Sequence, residues 1–298
     1  MSTLLFMSNQ RVMVLEGSFS RAKIVVNKII EHDLPEGSLI NGVIINETDV
    51  LDSLKRLWEE QRLNRGKLQI VIDSTQFQLK NALLPKLRDS AMQALIKNEF
   101  SGSERYTEPI FDYMILRENP ANPKMQDILC SGVERSFIHS YVELFRQAKL
   151  QVRSIDTALG GILKLIAFLP LFQQKTCVLL ILNGENLLTI LLENGFYKYS
   201  SRTRLLSQPG TDEFAVAIQR AVSSIQQFQA VDNNGFTITN AYFCGCDEEV
   251  VNFCRPGVQS LGVEAQLLPD DPRIEFKGKT YGKRLSDIVY LVGDFMRR

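Results

Sequence analysis

The chain has 298 residues, 45% apolar and 9% aromatic, with 34 basic residues balanced by 34 acidic ones. That length and apolar content suffice for two compact domains, and zero net charge provides no sequence-wide field favouring nucleic acid or an anionic membrane. The most apolar run, 159–172, carries Lys164 and is broken by Pro170, well short of the roughly 20 apolar residues of a spanning helix, and the N-terminus lacks a signal-peptide pattern, so the expectation is a cytoplasmic protein.

Residues 4–7, 12–16 and 23–31 read as three strands, the first two joined by the polar turn Ser8-Asn9-Gln10-Arg11. Asn41-Gly42 marks another turn, and caps at 46–49 open a helix over 50–62 with Val50, Leu54, Leu57 and Trp58 on its apolar side. Trp58 reads as a core anchor. Strands at 67–72 and 77–83, a helix at 89–100, a polar loop at 101–105, strands at 111–116 and 127–132, a helix at 134–148 and a strand at 150–155 follow. This order, β-β-α-β-β-α-β, reads as a self-contained α/β subdomain inserted at about 67–155.

Asp156-Thr157 caps a helix over 158–169. Strands at 177–182, 187–193 and 196–200 are then separated by Asn183-Gly184-Glu185-Asn186 and by Asn194-Gly195. Asn-Gly is the strongest short-range hairpin signal, because both residues tolerate positive φ. A helix from 212 to 229, closed by a turn at 232–235, leads to a strand at 237–243 and the tight loop Cys244-Gly245-Cys246. A helix at 247–254, a strand region at 261–268, an irregular segment at 269–283 and a terminal helix at 285–295 complete the chain. Two halves that each open on a three-stranded meander imply duplication, with lobes at 1–175 and 176–298 and the terminal helix open to packing back on the first lobe.

The order of elements resembles the actin-like fold, an α/β, ribonuclease H-like duplicated architecture of two lobes with an α/β subdomain inserted in the first half. Several strings narrow the resemblance to the PilM family of type IV pilus assembly proteins, relatives of the division protein FtsA. They are Leu34-Pro35-Glu36-Gly37 with Ile40-Asn41-Gly42-Val43-Ile44, Leu84-Pro85 followed by Phe111-Asp112-Tyr113-Met114-Ile115-Leu116, Glu134-Arg135 with Val152-Arg153-Ser154-Ile155-Asp156, and Leu291-Val292-Gly293-Asp294-Phe295-Met296-Arg297. The resemblance implies a cytoplasmic scaffold recruited to the inner face of the inner membrane. Its partner would be the cytoplasmic N-terminal peptide of a single-span, PilN-like protein, docked between the 67–155 insertion and the N-terminal core, with Phe77, Tyr113 and Met114 as candidate contacts.

Actin-like ATPases place an Asp-x-Gly in the hairpin of each meander, where backbone amides cradle phosphates and carboxylates position Mg²⁺. Neither is present here: the turn at Ser8-Asn9-Gln10 has no Asp or Gly, and the second keeps Gly184 with Asn183 where the Asp would stand. The adenosine loop is reduced to Phe243-Cys244-Gly245-Cys246-Asp247. The nucleotide site implied, built from Asn9, Gln10, Asp156, Asn183, Gly184 and Gly245, is degenerate, so the reading is a pseudo-ATPase with ATP and Mg²⁺ bound weakly or not at all. The alternatives are a working ATPase and an FtsA-like filament, a homo-oligomer.

Cys244, Cys246 and Cys254 lack a fourth zinc ligand, with only 2 histidines in the chain, and read as structural thiols. His32 and His139 have no candidate nucleophile or paired carboxylate nearby in the sequence. Asp156 also reads as a plain N-cap, Lys198, Arg202 and Arg204 read as a solvated strand end or an anion-facing group, and the terminal helix reads as core packing over a membrane-binding tail.

Overall fold

Turn chemistry sets the first strands. In the computed structural model, which describes residues 2–102, 106–232 and 235–296, β1 (Ser2–Met7) turns at 8–10 into β2 (Arg11–Ser20), and a turn with positive φ at Arg21 and Ala22 leads to β3 (Lys23–Asp33). Of the expected loop at 101–105, the turn at 232–235 and the terminal string, residues 103–105, 233–234 and Arg297 lie outside the described residues. The short strands β4 (Leu39–Ile40) and β5 (Val43–Ile44) flank Asn41-Gly42, whose φ values of 50° and 74° suit a primed hairpin turn. Helix α1 (Glu47–Glu60) begins where the Asp49 N–H donates to Asn46 Oδ1 at 3.3 Å, and it buries Val50, Leu54, Leu57 and Trp58. Trp58 is the core anchor its spacing predicts: it is 3% exposed and donates Nε1–H to the Asn64 carbonyl.

The chain continues through β6 (Leu68–Ile72), β7 (Gln78–Pro85), α2 (Asp89–Glu99), β8 (Pro109–Glu118), β9 (Met125–Glu134), α3 (Arg135–Gln147) and β10 (Val152–Thr157). It folds as two compact units, Met1–Gly17 with Ile29–Gly160 and Ser18–Lys28 with Gly161–Arg298. The first holds strands in the order β10-β6-β1-β2-β3, β2 up to Gly17 and β3 from Ile29 on, with β6 parallel to both neighbours and β1 antiparallel to β2. Leu5, Met7, Ile70 and Ile72 pack on Leu54 and Trp58 of α1 and on Tyr141 and Leu144 of α3.

The element order over 67–155 is the expected one, but its grouping is corrected. β6 and β10 belong to the main sheet, and α3 covers the main core. The part that stands apart spans 78–134: the sheet β7-β9-β8 with α2, enclosing its own core of Leu84, Met92, Ile96, Phe100, Ile128 and Cys130. β6 is buried at every residue, as a strand flanked by parallel neighbours must be, whereas β7 is largely half-exposed.

In the second unit come α4 (Ala158–Phe168, shared with the first at its start), β11 (Cys177–Asn183), β12 (Asn186–Glu193), β13 (Phe196–Arg204), α5 (Asp212–Asp232), β14 (Asn240–Cys244), α6 (Glu248–Gln259), β15 (Glu264–Leu267) and β16 (Ile274–Lys279). The order β13-β12-β11-β14-β15 repeats β3-β2-β1-β6-β10 strand for strand, so the duplication is explicit in the sheets. Asn194 and Gly195 both take positive φ, while in the preceding hairpin Gly184 alone does, at 58°. Those are the patterns of primed turns I′ and II′.

Three expectations fail here. Helix α6 continues past 254 through Pro256 to Gln259, because Val258 extends the buried stripe of Val251 and Cys254. The segment expected to be irregular, 269–283, contains β16, which pairs in parallel with residues 24–28 of β3. The terminal helix is reduced to α7 (Val289–Val292) between 3₁₀ turns at Leu285–Asp287 and Gly293–Met296. A Cβ at Gly293 would lie 2.0 Å from the Gly161 carbonyl oxygen, so this segment meets α4 backbone to backbone, and that contact sets its course. Lys164 and the buried Asp294 form an ion pair across the same junction. Residues of α4 from Gly161 on, which a boundary at 175 assigns to the first lobe, thus pack with the terminal segment in the second unit.

Candidate functional site

The residues proposed for a nucleotide fall into two groups. In the first unit, the β1–β2 turn is closed on itself: the Ser8 N–H donates to the Arg11 carbonyl at 3.0 Å, and the Gln10 carbonyl accepts from the Leu34 N–H at 2.8 Å. Asn9 Oδ1 accepts from the Gly42 N–H at 3.3 Å. The Asn41-Gly42 turn is itself held by Ser74 Oγ–H donating to the Asn41 carbonyl at 2.6 Å and by Tyr141 Oη–H donating to the Gly42 carbonyl at 2.5 Å. The polar groups of Asn9 that face Gly42 are therefore engaged by the protein's own backbone, and only Gln10 has an exposed side chain.

Asp156 is the penultimate residue of β10, and the side-chain cap of α4 comes from its neighbour Thr157. Asp156 Oδ1 accepts from the adjacent Thr157 N–H at 2.7 Å, while Thr157 Oγ1 takes the Gly160 N–H at 2.9 Å and so caps α4.

In the second unit, Asn183 is 6% exposed at the end of β11, opposite Asn186, and Gly184 makes the turn. Gly245 donates its N–H to the Ser286 carbonyl at 2.9 Å, and a Cβ there would fall 2.0 Å from the Leu182 carbonyl oxygen. The loop is thus packed against β11 and the 285–287 turn. Beside it lies a cleft of about 370 Å³ whose described walls carry Asp247, Glu248, Glu249 and Asp287 with Arg284, Glu248 also reaching Arg255 at 3.2 Å. A phosphate chain entering it would meet four carboxylates, a repulsive setting in the absence of bound cations.

Burial pushes the Cys246 thiol up to about 12, Asp247 adding to the effect, and Cys254 to about 11; Cys244 is driven well above its ordinary value by burial first. These are protonated, unreactive thiols at neutral pH. Among the described residues no three His, Cys, Asp or Glu side chains are grouped to hold a metal. His139 is exposed on α3, and His32 has a buried Nε2 without a hydrogen-bond partner. Lys198 pairs with Glu193 and Arg204 with Glu185, consistent with a solvated strand end.

The candidate partner-binding residues separate. Phe77 packs edge-to-face on Phe137 at 5.7 Å and joins the main core, so it tethers the small sheet to the first unit. Tyr113 lies on the α2 side, donating Oη–H to Asp89 at 2.9 Å, a bond that, with burial, holds its phenol above the ordinary value. Met114, next along β8, belongs to the opposite face by strand alternation. There it pairs across to Leu129, with Leu79 and Leu83 on the same face of β7. Leu83 is 50% exposed. The sequence reading missed these three leucines; the signal was the period-2 pattern in 78–85 and 125–134, obscured because Leu84 and Ile128 face α2.

A family model, described as type IV pilus assembly protein PilM, matches residues 5–204. No curated protein matches the chain in sequence. Among solved structures, one described as a PilM-PilN type IV pilus biogenesis complex superposes with a TM-score of 0.81 at 14% identity, covering 99% of this chain and 98% of that one. A Bacteroides thetaiotaomicron protein, described as having an actin-like ATPase fold and unknown function, superposes at 0.53 with 10% identity, over 97% and 94% of the two chains. The fold is actin-like. Among the described residues no helix is long and apolar enough to cross a membrane.

Proposed function

Because the chain belongs to the family of type IV pilus assembly proteins PilM, we propose that it is a cytoplasmic scaffold of a pilus or related secretion machine that binds the cytoplasmic N-terminal segment of a PilN-like inner-membrane protein. The family match over residues 5–204 carries the reading, since it takes in the first unit from residue 5 on and the whole of the 78–134 insertion. Recruitment to the inner face of the membrane follows from that partner. The docking site we assign is the α2-distal face of the small sheet, where Leu79, Leu83 and Met114 would line apolar pockets over the buried Leu129, beside the Phe77–Phe137 tether. An extended peptide needs only such pockets and backbone pairing, so phosphate loops are dispensable for it.

Titrating a partner's cytoplasmic peptide tests this. Binding in the micromolar range is expected, weakened at least tenfold by Met114→Glu and unchanged by Ile115→Glu on the other face. No binding at high micromolar peptide, or equal loss from both variants, overturns the assignment. The pseudo-ATPase reading is supported by the engaged Asn9 and Gly245 groups and the acidic cleft. Calorimetry with MgATP is expected to give no binding heat; micromolar binding with turnover restores the ATPase alternative.

A further inference from the structure

The chain is neutral overall, yet its charge is uneven. Residues 18–28 and 273–284 hold eight basic residues and one acid, Glu275; Arg273 is paired with Asp271 and Arg284 lines the acidic cleft, so the surplus is carried mainly by the lysines. All of them lie in the second unit, where β16 forms the edge beside β3. Parallel pairing sets Lys279 opposite Lys28. Lys23 and Lys277 both reach Glu275, at 2.9 and 2.7 Å, so one carboxylate is shared between two ammonium groups. Like charges opposed on neighbouring strands cost stability in isolation. A negatively charged surface laid against the exposed Lys277 and Lys279 of this edge would be attracted to it.

Beyond β16, Tyr281 is 75% exposed, with φ of 52°, and it stands two residues from both Lys279 and Lys283. An exposed phenol among lysines is the composition of an interfacial anchor, whose ring sits at headgroup level while ammonium groups stay in water. Lysine, rather than arginine, fits a diffuse potential: it is a hydrated point charge, whereas carboxylates of a peptide are best clasped by the guanidinium fork.

We propose that the β16 edge and the 279–283 loop rest on an anionic bilayer surface, with Lys23, Lys277, Lys279 and Lys283 over lipid headgroups and Tyr281 at the interface. The proposal rests on the PilN-like partnership only for bringing the protein to a membrane. Contact with lipid would add a second, weak attachment to that partner.

The full chain, without any partner peptide, is sedimented with vesicles of phosphatidylcholine alone and with vesicles containing about a third phosphatidylglycerol. Binding to the anionic vesicles only, falling as salt rises, is expected. Lys277→Gln/Lys279→Gln should lower the partition coefficient about 30-fold, at roughly fivefold per lysine near an anionic leaflet. Tyr281→Ala should lower it severalfold. These exposed changes leave peptide binding and melting temperature unaltered, so the two readings fail separately. Equal partition onto both vesicle types, or a double variant that binds vesicles like the parent, overturns the proposal. So does capture by polyglutamate without vesicle binding, which would mark an acidic peptide as the occupant. A double variant that merely self-associates would show the lysines to be guards of an edge strand, and would overturn it as well.

Discussion

At Gly293 a methyl group would sit 2.0 Å from the Gly161 carbonyl oxygen and 2.9 Å from the Leu165 nitrogen, and neither can yield without moving α4. Gly293→Ala is expected to cost about 3 kcal/mol or more by overpacking, read as a lower melting temperature. Gly257→Ala, in α6, is the control: its nearest neighbour is the Gln219 side chain at 3.6 Å, so the gain in helix propensity of about 0.5–1 kcal/mol should appear instead. The thiols give a pH prediction. Cys130, Cys177, Cys246 and Cys254 are raised to about 11, 12, 12 and 11, in each case first by burial. Since the folded values exceed the unfolded one near 9, their contribution to stability is intact below about pH 9 and is lost as pH rises through 11 to 12. Thermal melts from pH 8 upward should show that decline, and a thiol reagent at pH 8 should react slowly until denaturant is added. Adjacent polar residues were beyond the resolution of sequence reading: Asp156 and Thr157 are both good caps by type, and only the turn geometry gives the role to Thr157.

Among the elements, those announced by local chemistry formed where expected, such as the Asn194-Gly195 hairpin and the amphipathic helix α3, with Phe137, Tyr141, Leu144 and Phe145 buried. Elements defined by distant partners did not. β16 exists through its pairing with residues 24–28, some 250 positions away. The 78–134 sheet has a separate core, which makes a local prediction. Ile96→Ala, at a fully buried site, should cost about 2–4 kcal/mol. Amide exchange should then quicken in β7, β8, β9 and α2 while β11 and β12 stay protected. Phe77→Ala should loosen the same sheet by removing its ring contact with Phe137. A loss of peptide binding in that variant would therefore report the tether and not a contact.

For the molecule as a whole, the repeated strand order and the family match agree, while Asn9 in the first unit and Gly245 in the second are each engaged by the backbone of their own unit. A filament former would sediment as polymer at rising concentration, with MgATP dependence. The scaffold reading predicts discrete species whose size ignores MgATP, and analytical ultracentrifugation distinguishes the two.

The turns, the amphipathic helices, the two meanders, the family resemblance and the missing Asp-x-Gly pairs were legible in the chain alone, because each is written in neighbouring residues or in a single strand's period. Long-range packing was needed to place β6 and β10 in the main sheet, to pair β16 with β3, to break the helix of residues 285–296 against α4, and to turn Met114 and Tyr113 opposite ways across a sheet. Strand partners and backbone-to-backbone contacts are settled by packing between residues far apart in the chain, where the favourable terms are burial and pairing rather than local propensity.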